Sequence, residues 1–223
     1  QIIYAGSTSA FLGGNAAIRG EQLGVIVGTR IKRDADGNLL VGGSGNYITE
    51  SNTILDDGRS VTPIIGDPNP DYVMNFNNTL TYKNFTFAFQ INHTKGGDIA
   101  STTIATLLGR GLINDDRNKT FILPGILEST GEANTLQINN SQYYFSNLLF
   151  GAKELTIYDA SILRLQEVSL GYSLPKSAID KTPFGNISFT ATGFNLWYDA
   201  YNTPDAANFD PNVAGVGVGN GRG

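Results

Sequence analysis

Between Tyr72 and Ile91 the side chains alternate with period two across a two-residue interruption, a pattern few folds accept. Tyr72, Met74, Phe76, Leu80 and Tyr82 fall on one face, and Val73, Asn75, Asn77, Thr79 and Thr81 on the other. Lys83-Asn84 then reads as a tight turn. The alternation resumes with Phe85, Phe87, Phe89 and Ile91 against Thr86, Ala88, Gln90 and Asn92. The segment is therefore a long β-hairpin with one greasy face and one mostly wet face.

Two later segments repeat the pattern with interruptions. Ile162 to Leu174 carries Val168, Leu170, Tyr172 and Leu174 on one face, and its apolar phase slips near Gln166-Glu167, as a β-bulge would cause. Ile187 to Tyr198 alternates as Ile187, Phe189 and Ala191 against Ser188, Thr190 and Thr192, then loses phase near Gly193-Phe194. Between them, Pro175 to Asn186 is a Pro- and Gly-bounded connection with room for one helical turn. Upstream, Leu23 to Ile31 is a weaker strand candidate, followed by the turn Asp34 to Asn38. Residues 83–84 form a minimal turn, whereas residues 95–155 separate two strands by a span too long for an ordinary compact domain unless it carries structure or function of its own.

Two all-β architectures accommodate such strands. In a β-sandwich the greasy face packs on a second sheet. In a membrane barrel it faces lipid, with short turns at one end and long loops at the other. Tyr72 and Tyr82 lie ten residues apart on one face; at a rise of about 3.3 Å and a tilt of about 40° that is about 25 Å along the barrel axis, the height of an outer-membrane apolar band between its aromatic girdles. Asn78 interrupts the greasy face. These residues alone leave both architectures open.

Composition removes several other classes. No run of about 18 apolar residues is present, so no transmembrane helix is available. The chain has no cysteine, which excludes disulfides, thiolate nucleophiles and Cys-ligated metals. Its net charge is −5 and its basic residues are scattered, so there is no stripe for a phosphate backbone and nucleic acid is not an expected partner. The sequence opens Gln1-Ile2-Ile3-Tyr4, without an initiator Met or a signal pattern, and reads as a mature chain or an internal piece.

Candidate chemical sites do not assemble. Asp34, Asp36 and Asn38 have the first ligand spacings of a calcium loop, but Leu39 stands where the Gly is required and Gly45 where the closing Glu belongs; the run reads as an Asp-Gly turn. Asp56-Asp57 and Asp115-Asp116 read as solvated loop carboxylates. His93, the one histidine, sits at a strand exit with no Gly-x-Ser-x-Gly elbow, and reads as a surface residue. Gly215 to Gly219 lacks the strand, helix and acidic partner of a dinucleotide site. The sequons at Asn77 and Asn92 follow from an Asn- and Thr-rich composition. Trp197, Tyr198 and Tyr201 form either an interfacial girdle or a platform on which a sugar or a lid protein could rest. No catalytic residue, metal ligand or cofactor site is expected.

Gly66 to Tyr72, leading into a strand, the Tyr82-Lys83-Asn84-Phe85 turn and a second strand, resembles the SusC/RagA family of TonB-dependent outer-membrane transporters. Asp159 to Pro175 (DASILRLQEVSLGYSLP) looks like the same family's late-barrel segment, and Thr192 to Leu196 followed by Asn208 to Asn212 is similar to the segment that comes next there. Each motif is weak by itself; three in the expected order across residues 66–212 are specific. Gly20 to Gly24 is also compatible.

The resemblance implies an all-β fold, part of a transmembrane antiparallel β-barrel, with residues 1–223 as a C-terminal portion of the barrel domain. The family's plug and early strands have no counterpart here, and its chains usually finish with a further strand and a terminal aromatic residue, whereas this one stops at Gly219 to Gly223. In that setting Tyr72, Phe76, Leu80, Tyr82, Phe85, Phe87, Phe89 and Ile91 face lipid, the Asn/Thr/Gln face lines the lumen, and residues 95–155 form an outer loop. The implied activity is active uptake of oligosaccharides or oligopeptides across the outer membrane of a Gram-negative bacterium of the Bacteroidota. Implied partners are a SusD-like surface lipoprotein, the remainder of the transporter chain, TonB through the plug, and outer-membrane lipid. An extracellular β-sandwich adhesin and a passive porin are the rival readings.

Overall fold

The alternating segments form one antiparallel sheet of four long strands: β1 (Pro70–Tyr82), β2 (Phe85–Gly96), β3 (Ile162–Ser173) and β4 (Ser188–Asp199), in that spatial order. The computed structural model describes residues 3–5, 14–18, 20–54, 58, 60–113, 116–204 and 209–211. Among them no helix is long and apolar enough to cross a membrane, which says nothing about crossing by strands.

Register carries the alternation from strand to strand. Tyr82 pairs with Phe85, Phe85 with Tyr172 and Tyr172 with Phe189, so an aromatic row crosses all four strands at one end. Leu80, Phe87, Leu170 and Ala191 form the next row, and Phe76, Ile91, Leu165 and Trp197 a row nearer the other end. The phase slip near Gln166 is a bulge: Ile91 opposes Leu165 while Gln90 opposes Glu167, leaving Gln166 as the extra residue. That one insertion returns Leu163 and Leu165 to the face of Val168, Leu170 and Tyr172. β4 is irregular in the same place, with Asn195 at φ 50°.

The greasy face is largely uncovered. Phe76 is 49% exposed, Leu80 58%, Tyr82 70%, Phe85 50%, Leu170 52% and Phe189 64%. Asn78 pairs with Phe89 and sits half-buried on this face.

Nearly all buried apolar residues lie elsewhere, in a cap built from residues 14–66 and 97–161 at the end of the sheet opposite the Lys83-Asn84 turn. Ala16, Ile18, Val25 and Val27 form one cluster under Ile64, and Ile104 and Ile113 another with Leu107, Leu108, Tyr158 and Phe209. The expected strand Leu23 to Ile31 is two short strands, Val25–Val27 and Arg30–Ile31, and Leu23 lies outside them, 79% exposed. Residues 95–155 are not an open loop. They hold the helix α1 (Thr102–Gly109), capped by the Ser101 hydroxyl accepting from Ile104 N, and a π-helical turn over Tyr143–Leu149. At Gly109 an added Cβ would stand 2.8 Å from the Leu149 side chain, so a glycine lets the two helices touch.

The two halves of the cap are clasped across about a hundred residues of sequence. Leu40–Val41 pairs in parallel with Ile126–Leu127. The buried Asn147 accepts from Tyr47 N at 2.8 Å and donates to Asn46 Oδ1 at 3.0 Å, and Thr29 O accepts from Glu154 N at 3.1 Å. β2 leaves the sheet for the cap through Gly96 and Gly97, at φ 74° and 76°. A Cβ on Gly96 would sit 2.5 Å from the Asp71 carboxylate and one on Gly97 3.0 Å from Pro68 O. The connection between β3 and β4, at the turn end, contains the expected helical turn, Lys176–Ile179.

Candidate functional site

A mostly polar face crosses all four strands of the sheet. Asn75, Asn77, Thr79 and Thr81 on β1 stand opposite Asn92, Gln90, Ala88 and Thr86 on β2; Arg164, Glu167, Ser169 and Gly171 follow on β3, and Tyr198, Phe194, Thr192 and Thr190 on β4. Hydrogen bonds cross it: Asn92 Nδ2 donates to Asn75 Oδ1 at 2.8 Å and Gln90 Nε2 to Gln166 Oε1 at 3.4 Å. Arg164 Nη2 donates to Asp210 Oδ1 at 2.6 Å, which ties the segment after β4 to this face, while Arg164 Nε is buried without a hydrogen-bond acceptor. A face of mostly amides and hydroxyls, with Glu167 and the part-buried Arg164–Asp210 pair, can hydrogen-bond a polar solute at many points.

Three aromatic residues singled out from sequence do not act as one group. Trp197 pairs with Leu165 and lies on the greasy face; Tyr198 pairs with Arg164 and lies on the polar face. Tyr201, just past β4, joins the greasy face's cap-end edge, where its hydroxyl lies 3.1 Å from His93 Nε2 and the Tyr72 hydroxyl lies 3.4 Å from His93 Nδ1. Lys95 Nζ stands 5.6 Å from the Tyr201 ring centre and 3.8 Å from Asp159 Oδ2. A shallow recess of about 400 Å³ runs along Trp197 to Tyr201, Thr203 and Pro204. The single histidine is thus partly exposed, with its ring held between two tyrosines. Of the eight positions assigned to a lipid face, all are on the one greasy face: Tyr72, Phe76, Leu80 and Tyr82 from β1, Phe85, Phe87, Phe89 and Ile91 from β2.

In the cap, titratable groups answer to burial. Desolvation pushes the Tyr47 and Tyr158 hydroxyls up to about 12 and lowers the Lys153 ammonium, which donates to Leu149 O at 3.2 Å. Asp98, close to Asp159 and Asp67, is pushed above the usual carboxylate range, first by burial, although its Oδ2 accepts from Asp67 N at 2.8 Å. Asp34 is held below that range, first by its hydrogen bond from the Asn38 side chain; Oδ1 accepts from Asp36 N and Asn38 N and Oδ2 from Asn38 Nδ2. The carboxylate is occupied in closing its own turn, the Asp-Gly turn expected from sequence. Among the described residues no three His, Asp or Glu side chains are grouped to hold a metal ion. Asp56-Asp57, Asp115, Asn208, Asn212 and Gly215 to Gly223 lie outside the described residues.

Sequence reasoning missed the Arg164–Asp210 tie and the Asn75–Asn92 pair as site features. The signal for the second was present, since both asparagines fall in the wet phase of their strands; for the first it was absent, because 46 residues separate the partners.

No family model matches the chain. It is 32% identical over 136 residues to TonB-dependent receptor P3 of Formosa agariphila, a match covering 60% of this chain and 12% of the receptor. It is 28% identical over 194 residues to TonB-dependent receptor P26 of the same organism, covering 81% of this chain and 17% of that one. The chain therefore spans under a fifth of the length of these relatives. Among solved structures, the RagAB peptide importer in its closed-closed state overlays with a TM-score of 0.45 at 17% identity, covering 99% of this chain and 21% of that one; the open-open state gives 0.43 at 16%. The similarity to TonB-dependent receptors bears out the resemblance carried by the motifs between residues 66 and 212.

Proposed function

We propose that this chain is a stretch of barrel wall and outer cap from a SusC-type TonB-dependent importer of the outer membrane of a Gram-negative bacterium. The observation that carries the reading is the two-faced sheet: exposed aromatic and aliphatic rows on one side, backed by a mostly polar face of amides, hydroxyls and a few charges. In water, that much contiguous apolar surface would be a liability. Against lipid it is the required surface, and the aromatic row at the turn end and the Tyr72, His93, Tyr201 edge at the cap end mark two interfaces. A β-sandwich would lay a second sheet over Phe85, Phe87 and Leu170; among the described residues no sheet lies there.

In this setting the polar face lines the lumen and the cap stands at the outer mouth. The solute is an oligosaccharide or oligopeptide delivered by a SusD-like lipoprotein lid, and TonB acts through a plug that other parts of the transporter supply. Trp197 and Tyr201 flank the outer interface, while Tyr198 is the member of that trio placed to meet solute. No covalent chemistry is required.

The test is extraction of the intact transporter from outer membranes in detergent, without boiling, with identification of what co-purifies. Recovery of these residues within a far larger polypeptide carrying a lipoprotein supports the reading. A soluble monomer with the mass of these 223 residues alone and native strand content contradicts it.

A further inference from the structure

We propose that the turn end of the sheet binds the headgroups of anionic phospholipids, through Lys83 beside the aromatic row of Tyr82, Phe85, Tyr172 and Phe189 and through Lys176 and Lys181 in the connection between β3 and β4. This rests on the reading of the greasy face as lipid-facing. The two connections at that end are joined: Ser173 N donates to Asn84 O at 2.9 Å and Asn84 Nδ2 to Ser173 O at 2.7 Å, so the turn carrying Lys83 lies beside the segment that leads to Lys176. All three lysines are exposed, and none forms an ion pair among the described residues. The one acid of residues 83–84 and 174–187 is Asp180, which leaves this end at 3 − 1 = +2 in a chain of net charge −5.

Lys83 occupies the left-handed region at φ 53°, and its ammonium stands 5.3 Å from the centre of the Tyr82 ring, at the edge of the aromatic row. The opposite end of the greasy face differs. There Lys95 is matched by Asp159 at 3.8 Å, and Asp199 stands in the Leu163 row. Cations without carboxylate partners, set where exposed aromatic side chains give way to polar connections, select a partner with both acyl chains and a phosphate, which is a phospholipid bearing net negative charge.

The test uses the full-length transporter in nanodiscs of mixed phosphatidylglycerol and phosphatidylcholine, extracted into detergent, with the retained lipids quantified by mass spectrometry. The wild type is expected to retain phosphatidylglycerol about tenfold over its share of the mixture, from about three surface lysines. Replacing Lys83→Gln, Lys176→Gln and Lys181→Gln together should bring that ratio to near unity, whereas Arg at all three, or Lys95→Gln at the other end, should leave it unchanged. Faster migration of the unboiled protein on a gel reports folding. Should the triple Gln variant not fold, Lys176→Gln and Lys181→Gln singly are each expected to lower the ratio about twofold. An inserted, folded wild type with no preference, or Gln variants that keep it, overturns the proposal while leaving the barrel-wall reading intact. A protein that does not enter the nanodisc overturns both.

Discussion

The four-stranded sheet and the cap obey opposite rules of burial within one chain. In the sheet, Tyr82, Leu170 and Phe189 are at least half exposed; in the cap, Ile26, Ile104 and Val41 are at most 1% exposed. Both regions are built from the same apolar residue types. On the proposed reading, exposure follows the solvent each region meets: the cap folds around dry clusters as a water-soluble unit does, while the sheet, as a barrel wall, would turn its polar face inward and give its apolar rows to lipid.

Substitutions that exchange the two environments should separate them. Truncating Ile104→Ala within the cap removes a fully buried side chain beside Ile113, and should cost about 2–5 kcal/mol of cap stability; limited proteolysis of the full-length transporter should then cut within residues 97–161 while the strands stay protected. Placing a charge among the greasy rows with Phe89→Arg should cost about 2–4 kcal/mol in barrel unfolding, against little for Gln90→Arg next to it on the polar face. Equal costs at these two neighbours would break the two-faced account. Removing the cap of α1 with Ser101→Ala should cost about 1 kcal/mol, read as faster amide exchange of the helix.

The smallest effect concerns pH. Burial raises the Asp98 carboxyl in the folded cap, so the folded state holds that proton more tightly than the unfolded chain. Its contribution to stability is present below the ordinary carboxylate value and is lost as pH rises through the elevated folded value. The cap of wild type should therefore gain less protease resistance on going from acid to neutral pH than that of Asp98→Asn.

Strands were legible in the sequence to within two residues at most boundaries, because period-two alternation over a dozen residues has no helical counterpart. The Gln166 bulge was legible as well, since an extra residue shifts phase and the shift shows in the order of Leu163, Leu165, Val168 and Leu170. The cap was not. Its strands are two to four residues long, too short to show a period, and its clasp joins Leu40–Val41 to Ile126–Leu127, a pairing set by tertiary packing. The aromatic trio was read as one feature because its members are close in sequence; alternation sends Trp197 and Tyr198 to opposite faces.

The central claim is that one face of the sheet meets lipid and the other water, and the absence of cysteine from these 223 residues makes it accessible to single-site labelling. The direct measurement is modification of Phe87→Cys, Ala88→Cys, Leu170→Cys and Gly171→Cys variants of the full transporter in native outer membranes, by a small water-borne maleimide and by quenching from nitroxide lipids. The account predicts alternation: positions 88 and 171 react with the maleimide, and positions 87 and 170 are quenched by the lipid. Water-borne labelling of both sets alike, or of positions 87 and 170 in preference, would contradict it.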